Sequence, residues 1–280
     1  MKNNSSYTLR VQADDSSFKL NIKELLLYKD LFFVLAYRDL RIRYAQTFIG
    51  LLWAFIQPAF TLLIVSVVFG KFVRVDTGTI PHPLFAVSGI AVWTYFSFVL
   101  SQAGNSLIGA QEMLKKIYFP RLVIPFSKAV VGLVDFAVAL VIMTIMFFYY
   151  GYVPSSNILF LPLILLLVIM VSLAAGIWLS ALSIRYRDFQ YIIPFLVQFG
   201  LYITPVAYPI TVVSNNLPDW ATLIYYLNPM AGLIEGFRWC LFGGAFPSTV
   251  LLLSIVSVII LFITSIYYFR KTEKIMADII

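Results

Sequence analysis

A single cysteine and a single histidine in 280 residues exclude an intrachain disulfide and leave no histidine cluster to hold a metal ion. Cys240 stands alone, and His82 falls in a Pro-His-Pro sequence where a loop residue is expected. Charged residues are scarce, at 12% against 61% apolar ones, whereas a soluble domain carries about a quarter and about a half. Catalytic signatures are also missing: there is no G-x-x-x-x-G-K-[ST] phosphate loop, no H-E-x-x-H and no G-x-S-x-G. Neither ATP hydrolysis nor metal-assisted chemistry is therefore expected from this chain itself. Its first twenty residues hold no apolar core of signal-peptide length, so no cleaved leader is expected. No repeat of about 20–50 residues is present, which excludes an array.

What the chain does have is long apolar blocks, and these predict an all-α polytopic membrane protein. Six blocks are long enough for a hydrocarbon core of about 30 Å, which takes around 20 helical residues. They run near Phe48–Phe72, Leu84–Ile108, Ile124–Tyr150, Ile158–Leu182, Ile192–Val213 and Thr249–Phe269. The basic residues alternate between the connections. Eight Lys/Arg precede the first span, Lys115, Lys116 and Arg121 follow the second, Arg185 and Arg187 the fourth, and Arg270, Lys271 and Lys274 the sixth. The remaining connections hold only Lys71, Arg74 and Arg238. Because Lys and Arg favour the cytoplasmic side, this pattern predicts both termini in the cytoplasm, and the net charge of +7 reads as topology rather than as a nucleic-acid footprint.

The expected organisation is a polar tail over residues 1–21, an amphipathic helix and basic collar over 22–47, a six-span domain over 48–269 and a cytoplasmic tail over 270–280. In the collar helix Ile22, Leu25, Leu26, Phe33, Ala36, Leu40 and Tyr44 share one side of the wheel. Lys29 and Arg43 land on that apolar side and would snorkel, while Leu27, Leu31 and Leu35 land opposite. Arg38, Arg41 and Arg43 crowd its end, either as an orientation anchor or as a contact for an anionic lipid head.

In the connection between the fifth and sixth spans, residues 214–247, the stretch Ala221–Phe242 is apolar enough to imitate a seventh crossing, which charge parity forbids. Pro218 and Asn228-Pro229 read as helix starts and Gly243-Gly244 as a stop. The resulting helices, roughly 14 and 20 Å long, are too short to cross, so a re-entrant hairpin is expected. Within it, Glu235 and Arg238 are one turn apart, a simple i,i+3 pair on the plainest reading.

Inside the spans, Thr94, Ser97, Ser101 and Asn105 share a face, with Gln102 beside it. Such a stripe either glues helices together or lines a hydrated pathway. Trp53, Phe60 and Tyr202 suit an interfacial belt, the plainer reading for any single ring, or a sugar-stacking track. Asp135 is the one acid well inside a span, either bonded to a neighbouring helix or paired with Lys128. Pro194, Pro205 and Pro209 break the fifth span. The second connection, Gln111, Glu112, Met113, Leu114, Lys115, Lys116, Ile117 and Tyr118, reads as a short amphipathic segment with Met113, Leu114 and Ile117 on its apolar edge, braced by Pro120 and Pro125.

Four patches together resemble the transmembrane subunit of ABC-type polysaccharide exporters, the permeases for O-antigen, capsule and teichoic acid (Wzm-type). These are R-D-L-R-I-R-Y with Gly50, Trp53, Gln57 and Pro58; L-K-K-I-Y-F-P-R-L-V-I-P from Leu114; R-D-F with Pro194, Gln198 and T-P-V-A-Y from Thr204; and N-P-M-A-G-L-I-E-G-F-R from Asn228. The resemblance implies a homodimer in the bacterial inner membrane, joined to two ATP-binding cassette subunits that bind the ATP and Mg. It also implies a polyprenyl-pyrophosphate-linked glycan as cargo. Arg38, Arg41 and Arg43 would then guide the pyrophosphate, and residues 111–118 would couple to the ATPase. Trp53, Phe60, Thr94, Ser97, Ser101, Asn105 and Tyr202 would line the channel, and Asn228, Pro229, Glu235 and Arg238 would form an outer gate. The rival readings are a permease for a lipid or small hydrophobic drug and an intramembrane glycosyltransferase. The latter needs a paired-carboxylate site, and none of the loops offers one.

Overall fold

A computed structural model describes residues 22–45 and 50–276, and these are helical apart from the connections, with no strand among them. Chain order gives α1 (Ile22–Leu27), α2 (Lys29–Ala45), α3 (Trp53–Val65, continued as a π-helix over Ser66–Phe72), α4 (His82–Gly104), α5 (Ser106–Gly109), α6 (Gln111–Lys116) and α7 (Val123–Tyr150). There follow α8 (Leu161–Arg185), α9 (Phe189–Ile203), α10 (Thr211–Asn216), α11 (Asp219–Tyr226), α12 (Pro229–Phe242) and α13 (Ser248–Glu273). Among the described residues, five helical stretches are long and apolar enough to cross a membrane: Trp53–Phe72, His82–Gly104, Val123–Tyr150, Ser156–Arg185 and Ser248–Glu273. The polar tail and the C-terminal residues 277–280 lie outside the described residues.

Helix α4 is the axis of the bundle, packed by α3, α7, α8, α9 and α12, while α8 is sandwiched between α4 and α13. Helix α12 lies against α4, α8 and α13, so the helix that imitated a seventh span is a core element. Arg121 donates to the Glu273 carbonyl at 3.0 Å, which brings the start of α7 and the end of α13 to the end of the bundle that carries α6. At the opposite end the Ser155 amide donates to the Leu241 carbonyl at 2.9 Å, joining the approach to α8 to the end of α12. By contrast, α3 and α9 are peripheral: only Ala54 and Val65 of the α-helical part of α3, and only Ile193 of α9, are buried.

The structure departs from the sequence expectation at three places. The expected span Ile192–Val213 divides, because Thr204 is drawn into extended backbone (ψ 144°) ahead of Pro205, which has no amide to continue the ladder. Helix α9 therefore has 15 residues, about 22 Å at 1.5 Å per residue, and Pro194 sits within its first turns without ending it. The collar helix also divides, at Tyr28, and its packed face differs from the apolar stripe. Leu35 and Ala36 are buried, whereas Phe33, Val34 and Tyr37 are exposed. Finally, His82 is the first residue of α4 rather than a loop residue, flanked by Pro81 and with Pro83 in the first turn.

Candidate functional site

Three features of this bundle carry chemistry, and each is assembled by contacts distant in sequence. The first is the bend that follows α9. Backbone leaving a helix strands its carbonyls, and a stranded carbonyl in an apolar bundle needs a donor. Arg238 of α12 supplies it: the guanidinium donates to the carbonyls of Pro205 (2.8 Å), Val206 (2.6 Å) and Tyr208 (3.4 Å). It also pairs with Glu235 at 3.0 Å and lies 3.6 Å from the centre of the Phe85 ring. Only 3% of Arg238 is exposed. The pair is thus far from the simple surface i,i+3 contact of the plainest reading, since its arginine staples the bend to α4.

Gly89 makes this approach possible, because a Cβ there would stand 2.3 Å from the Val206 carbonyl and 2.8 Å from the Arg238 guanidinium. The expected helix start is found beside it. The Asn228 side chain caps α12 by accepting from the Met230 amide at 3.1 Å, and its amide group donates to Thr204 at 3.1 Å. Pro229 opens the helix and Gly243, at φ 75°, ends it. Asn228, Pro229, Glu235 and Arg238 are therefore one assembly with the Thr204–Tyr208 bend. The Tyr208 and Tyr225 hydroxyls meet at 3.2 Å.

The second feature is the uncovered strip of α4. Between Thr94 and Asn105 the residues that are not buried are Thr94, Phe96, Ser97, Phe98, Ser101, Gln102 and Asn105. A helix otherwise enclosed by apolar neighbours thus leaves mostly polar side chains open. The Thr94 and Ser97 hydroxyls and the Asn105 amide bond back to carbonyls of their own helix, not across to another one. The stripe is consequently not interhelical glue within this subunit. Of the expected aromatic partners, Trp53 and Phe60 are exposed on α3 and Tyr202 is exposed on α9.

The third feature lies between α2, α4 and α7. Lys128 pairs with Asp39, and Arg43 pairs with Asp135 at 2.7 Å. Tyr44 also donates to Asp135, and burial and that carboxylate raise its phenol so that it remains a donor. Asp135 is accordingly bonded to a neighbouring helix, the first of the two alternatives, while Lys128 takes Asp39. The Arg43 guanidinium also lies 4.3 Å from the centre of the Phe98 ring. A cavity of about 370 Å³ opens here, lined by Asp39, Ile42, Arg43, Phe98, Gln102, Lys128 and Val131. The three collar arginines are not brought together, since Arg38 is exposed and bound to its neighbour Asp39 at 2.9 Å and Arg41 is exposed on α2. Phe98 and Asp39 escaped the sequence reading; the available signal was a basic residue on an apolar stripe and an unexplained acid within a span.

At the α6 end, Met113 and Leu114 pack on the core, whereas Ile117 and Tyr118 are exposed. Ile117 leaves the expected apolar edge because the chain turns extended there (ψ 133°), and buried Phe119 is the actual anchor. Lys115, Lys116 and Glu112 face outward, the last two 3.7 Å apart.

Residues 30–242 match the family described as ABC-2 type transporter. The chain is 28% identical over 256 residues to the O-antigen export system permease protein RfbA of Myxococcus xanthus, covering 90% of this chain and 96% of that protein. A protein of the same name from Klebsiella pneumoniae is 26% identical over 252 residues, covering 90% and 95%. The polysialic acid transport protein KpsM of Escherichia coli is 24% identical over 248 residues, covering 86% and 93%. With the family match spanning most of the bundle, the chain belongs to the ABC-2 type transporter family.

Proposed function

We propose that this chain is the channel-forming subunit of an ATP-driven exporter that moves a polyprenyl-pyrophosphate-linked polysaccharide across the inner membrane. The observation that carries the reading beyond the family is the open polar strip of α4, flanked by Phe96 and Phe98, in an otherwise apolar bundle. Hydroxyl and amide groups that bond only to their own helix keep free acceptor capacity for a sugar, and a neighbouring ring offers a stacking face. A lipid or an apolar drug has no use for such a lining.

In this reading a second copy covers the exposed faces of α3 and α9, so that two polar strips face one conduit. Helix α9 and the bend after it make the fifth of six crossings, α11 and α12 form a re-entrant hairpin on the outer side, and both termini are cytoplasmic. Two ATP-binding cassette subunits, with ATP and Mg, dock on the exposed residues around Lys115–Tyr118. Asn228, Pro229, Glu235 and Arg238 belong to the outer gate, as its fixed frame rather than its moving part.

The test is surface display of the glycan in cells lacking this gene and complemented with variants. The wild-type chain restores display, and Lys115→Glu with Lys116→Glu abolishes it at unchanged protein level, with lipid-linked glycan accumulating inside. Unaltered display in the deletion strain would refute the reading, and unaltered display with the double variant would remove the coupling assignment.

A further inference from the structure

We propose that the cavity between α2, α4 and α7 is a phosphate-recognition site, in which Arg43, Lys128 and Gln102 receive the pyrophosphate of the lipid-linked substrate while Asp39 and Asp135 hold the two cations until it arrives. The inference rests on the exporter reading and adds which side chains take the head group.

Two cations converge on this cavity from different helices, and each is held by a carboxylate of the opposite helix: Lys128 of α7 by Asp39 of α2, Arg43 of α2 by Asp135 of α7. The Lys128 and Asp39 side chains are 14% and 13% exposed, and those of Arg43 and Asp135 33% and 16%, so the pairs are partly withdrawn from the surface and Arg43 is the more accessible cation. Unpaired cations at such a place would be costly, so an empty site must carry its own counter-ions. A pyrophosphate brings more charge and more acceptor oxygens than the carboxylates and can take their place on Lys128 and Arg43, while Arg38 still pairs with Asp39 and the Tyr44 hydroxyl still donates to Asp135. The Arg43 guanidinium sits over the Phe98 ring, 4.3 Å from its centre, and its fork of donors suits phosphate oxygens. Gln102, exposed at the rim on α4, adds a neutral amide donor. It also continues the polar strip of α4, so the head-group site and the glycan-facing strip share one helix. Arg38 and Arg41 lie outside the cavity lining.

A plain structural staple would show the same ion pairs, and the two ideas separate on one variant. Removing the Asp39 charge frees Lys128, which weakens a staple but strengthens an anion site. The experiment uses the whole exporter, this chain with its ATPase partner, in nanodiscs, and measures equilibrium binding of undecaprenyl pyrophosphate. Inorganic pyrophosphate and undecaprenol serve as competitors.

Lys128→Gln and Gln102→Ala should each weaken binding, the first by about tenfold as expected for one charge-assisted bond. Asp39→Asn should tighten it severalfold, and Arg74→Gln, remote from the cavity, should leave it unchanged. Inorganic pyrophosphate should compete, with the same dependence on Lys128. Competition by undecaprenol but not by pyrophosphate would overturn the site, because the chain rather than the head group would then be bound. Unchanged binding in Lys128→Gln, or weaker binding in Asp39→Asn, would overturn it too.

Should Lys128→Gln fail to fold, the pair Asp39→Asn with Lys128→Gln removes both charges of that ion pair, leaves only the exposed Arg38 without its carboxylate, and should still lose binding. Failure of this site is distinguishable from failure of the exporter reading. In the first case wild-type cells display glycan while Lys128→Gln binds the lipid normally; in the second the deletion strain displays glycan unaided.

Discussion

Replacing Arg238 by Met tests whether the bend after α9 is held from α12. The methionine fills comparable space but removes every donor, leaving the Pro205 and Val206 carbonyls without the partners they have at 2.8 and 2.6 Å. It also strips Glu235, whose side chain is 16% exposed, of its cation. Breaking a buried ion pair on one side costs roughly 3–5 kcal/mol, and each orphaned carbonyl adds about 1–3 kcal/mol. The total, on the order of 5–10 kcal/mol, rivals the entire stability of a typical domain. Arg238→Met is therefore expected not to accumulate as a monodisperse protein. Arg238→Lys keeps the charge but loses the fork and the ring contact, at about 2–3 kcal/mol. By the scaling for a domain of 150–250 residues, that lowers the melting midpoint in detergent by roughly 5–10 °C. Adding Glu235→Gln to Arg238→Met should recover part of the loss by removing the stranded carboxylate. Glu112→Gln provides the contrast, because it breaks an exposed i,i+4 pair worth only about 0.3–0.5 kcal/mol and should not shift the midpoint. An Arg238→Met protein that melts with the wild type would refute the staple.

Gly89→Ala places a methyl 2.3 Å from the Val206 carbonyl, and overpacking of this kind costs at least about 1–3 kcal/mol. It should destabilise the protein as Arg238→Lys does, read by the same melting assay, and a neutral effect would mean that the bend is not seated on α4. Topology is testable in a Cys240→Ser background, which removes the only thiol, itself buried. Single cysteines at Gly78 and Asn215 should react with an impermeant maleimide on intact spheroplasts, and one at Lys274 only after permeabilisation. Labelling of Lys274 in intact cells would invert the orientation.

The parts of this fold legible in the sequence are those set by local chemistry. Long apolar blocks read as helices, and Asn228-Pro229 with Gly243 set the limits of α12 because caps depend on residues within one turn. Pro205 was recognisable as a break, although its consequence, a span cut to 15 residues, depended on whether the freed carbonyls found a donor. That donor is Arg238, more than 30 residues later, and no local pattern announces it. The cavity was hidden for the same reason. Between Arg43 and Asp135 lie α3 to α6 and the first part of α7, and the wheel of α2 alone sends Arg43 to the interface. What the wheel could not include was α7, whose Lys128 and Asp135 make a charged stripe the favourable packing face. Ile117 illustrates a smaller failure: periodicity assigned it to the apolar edge, but the helix had already ended at Lys116.

Whether the open strip of α4 faces the glycan is most directly measured by photo-crosslinking. A benzoylphenylalanine placed at Ser97, Ser101 or Asn105 is irradiated in cells whose exporter is arrested during turnover, and the permease is probed for attached polysaccharide. Adducts at these three positions, and none at Leu163, which is exposed on the apolar surface of α8, are the expected result. Polysaccharide captured at Leu163 but at none of the three α4 positions would contradict it.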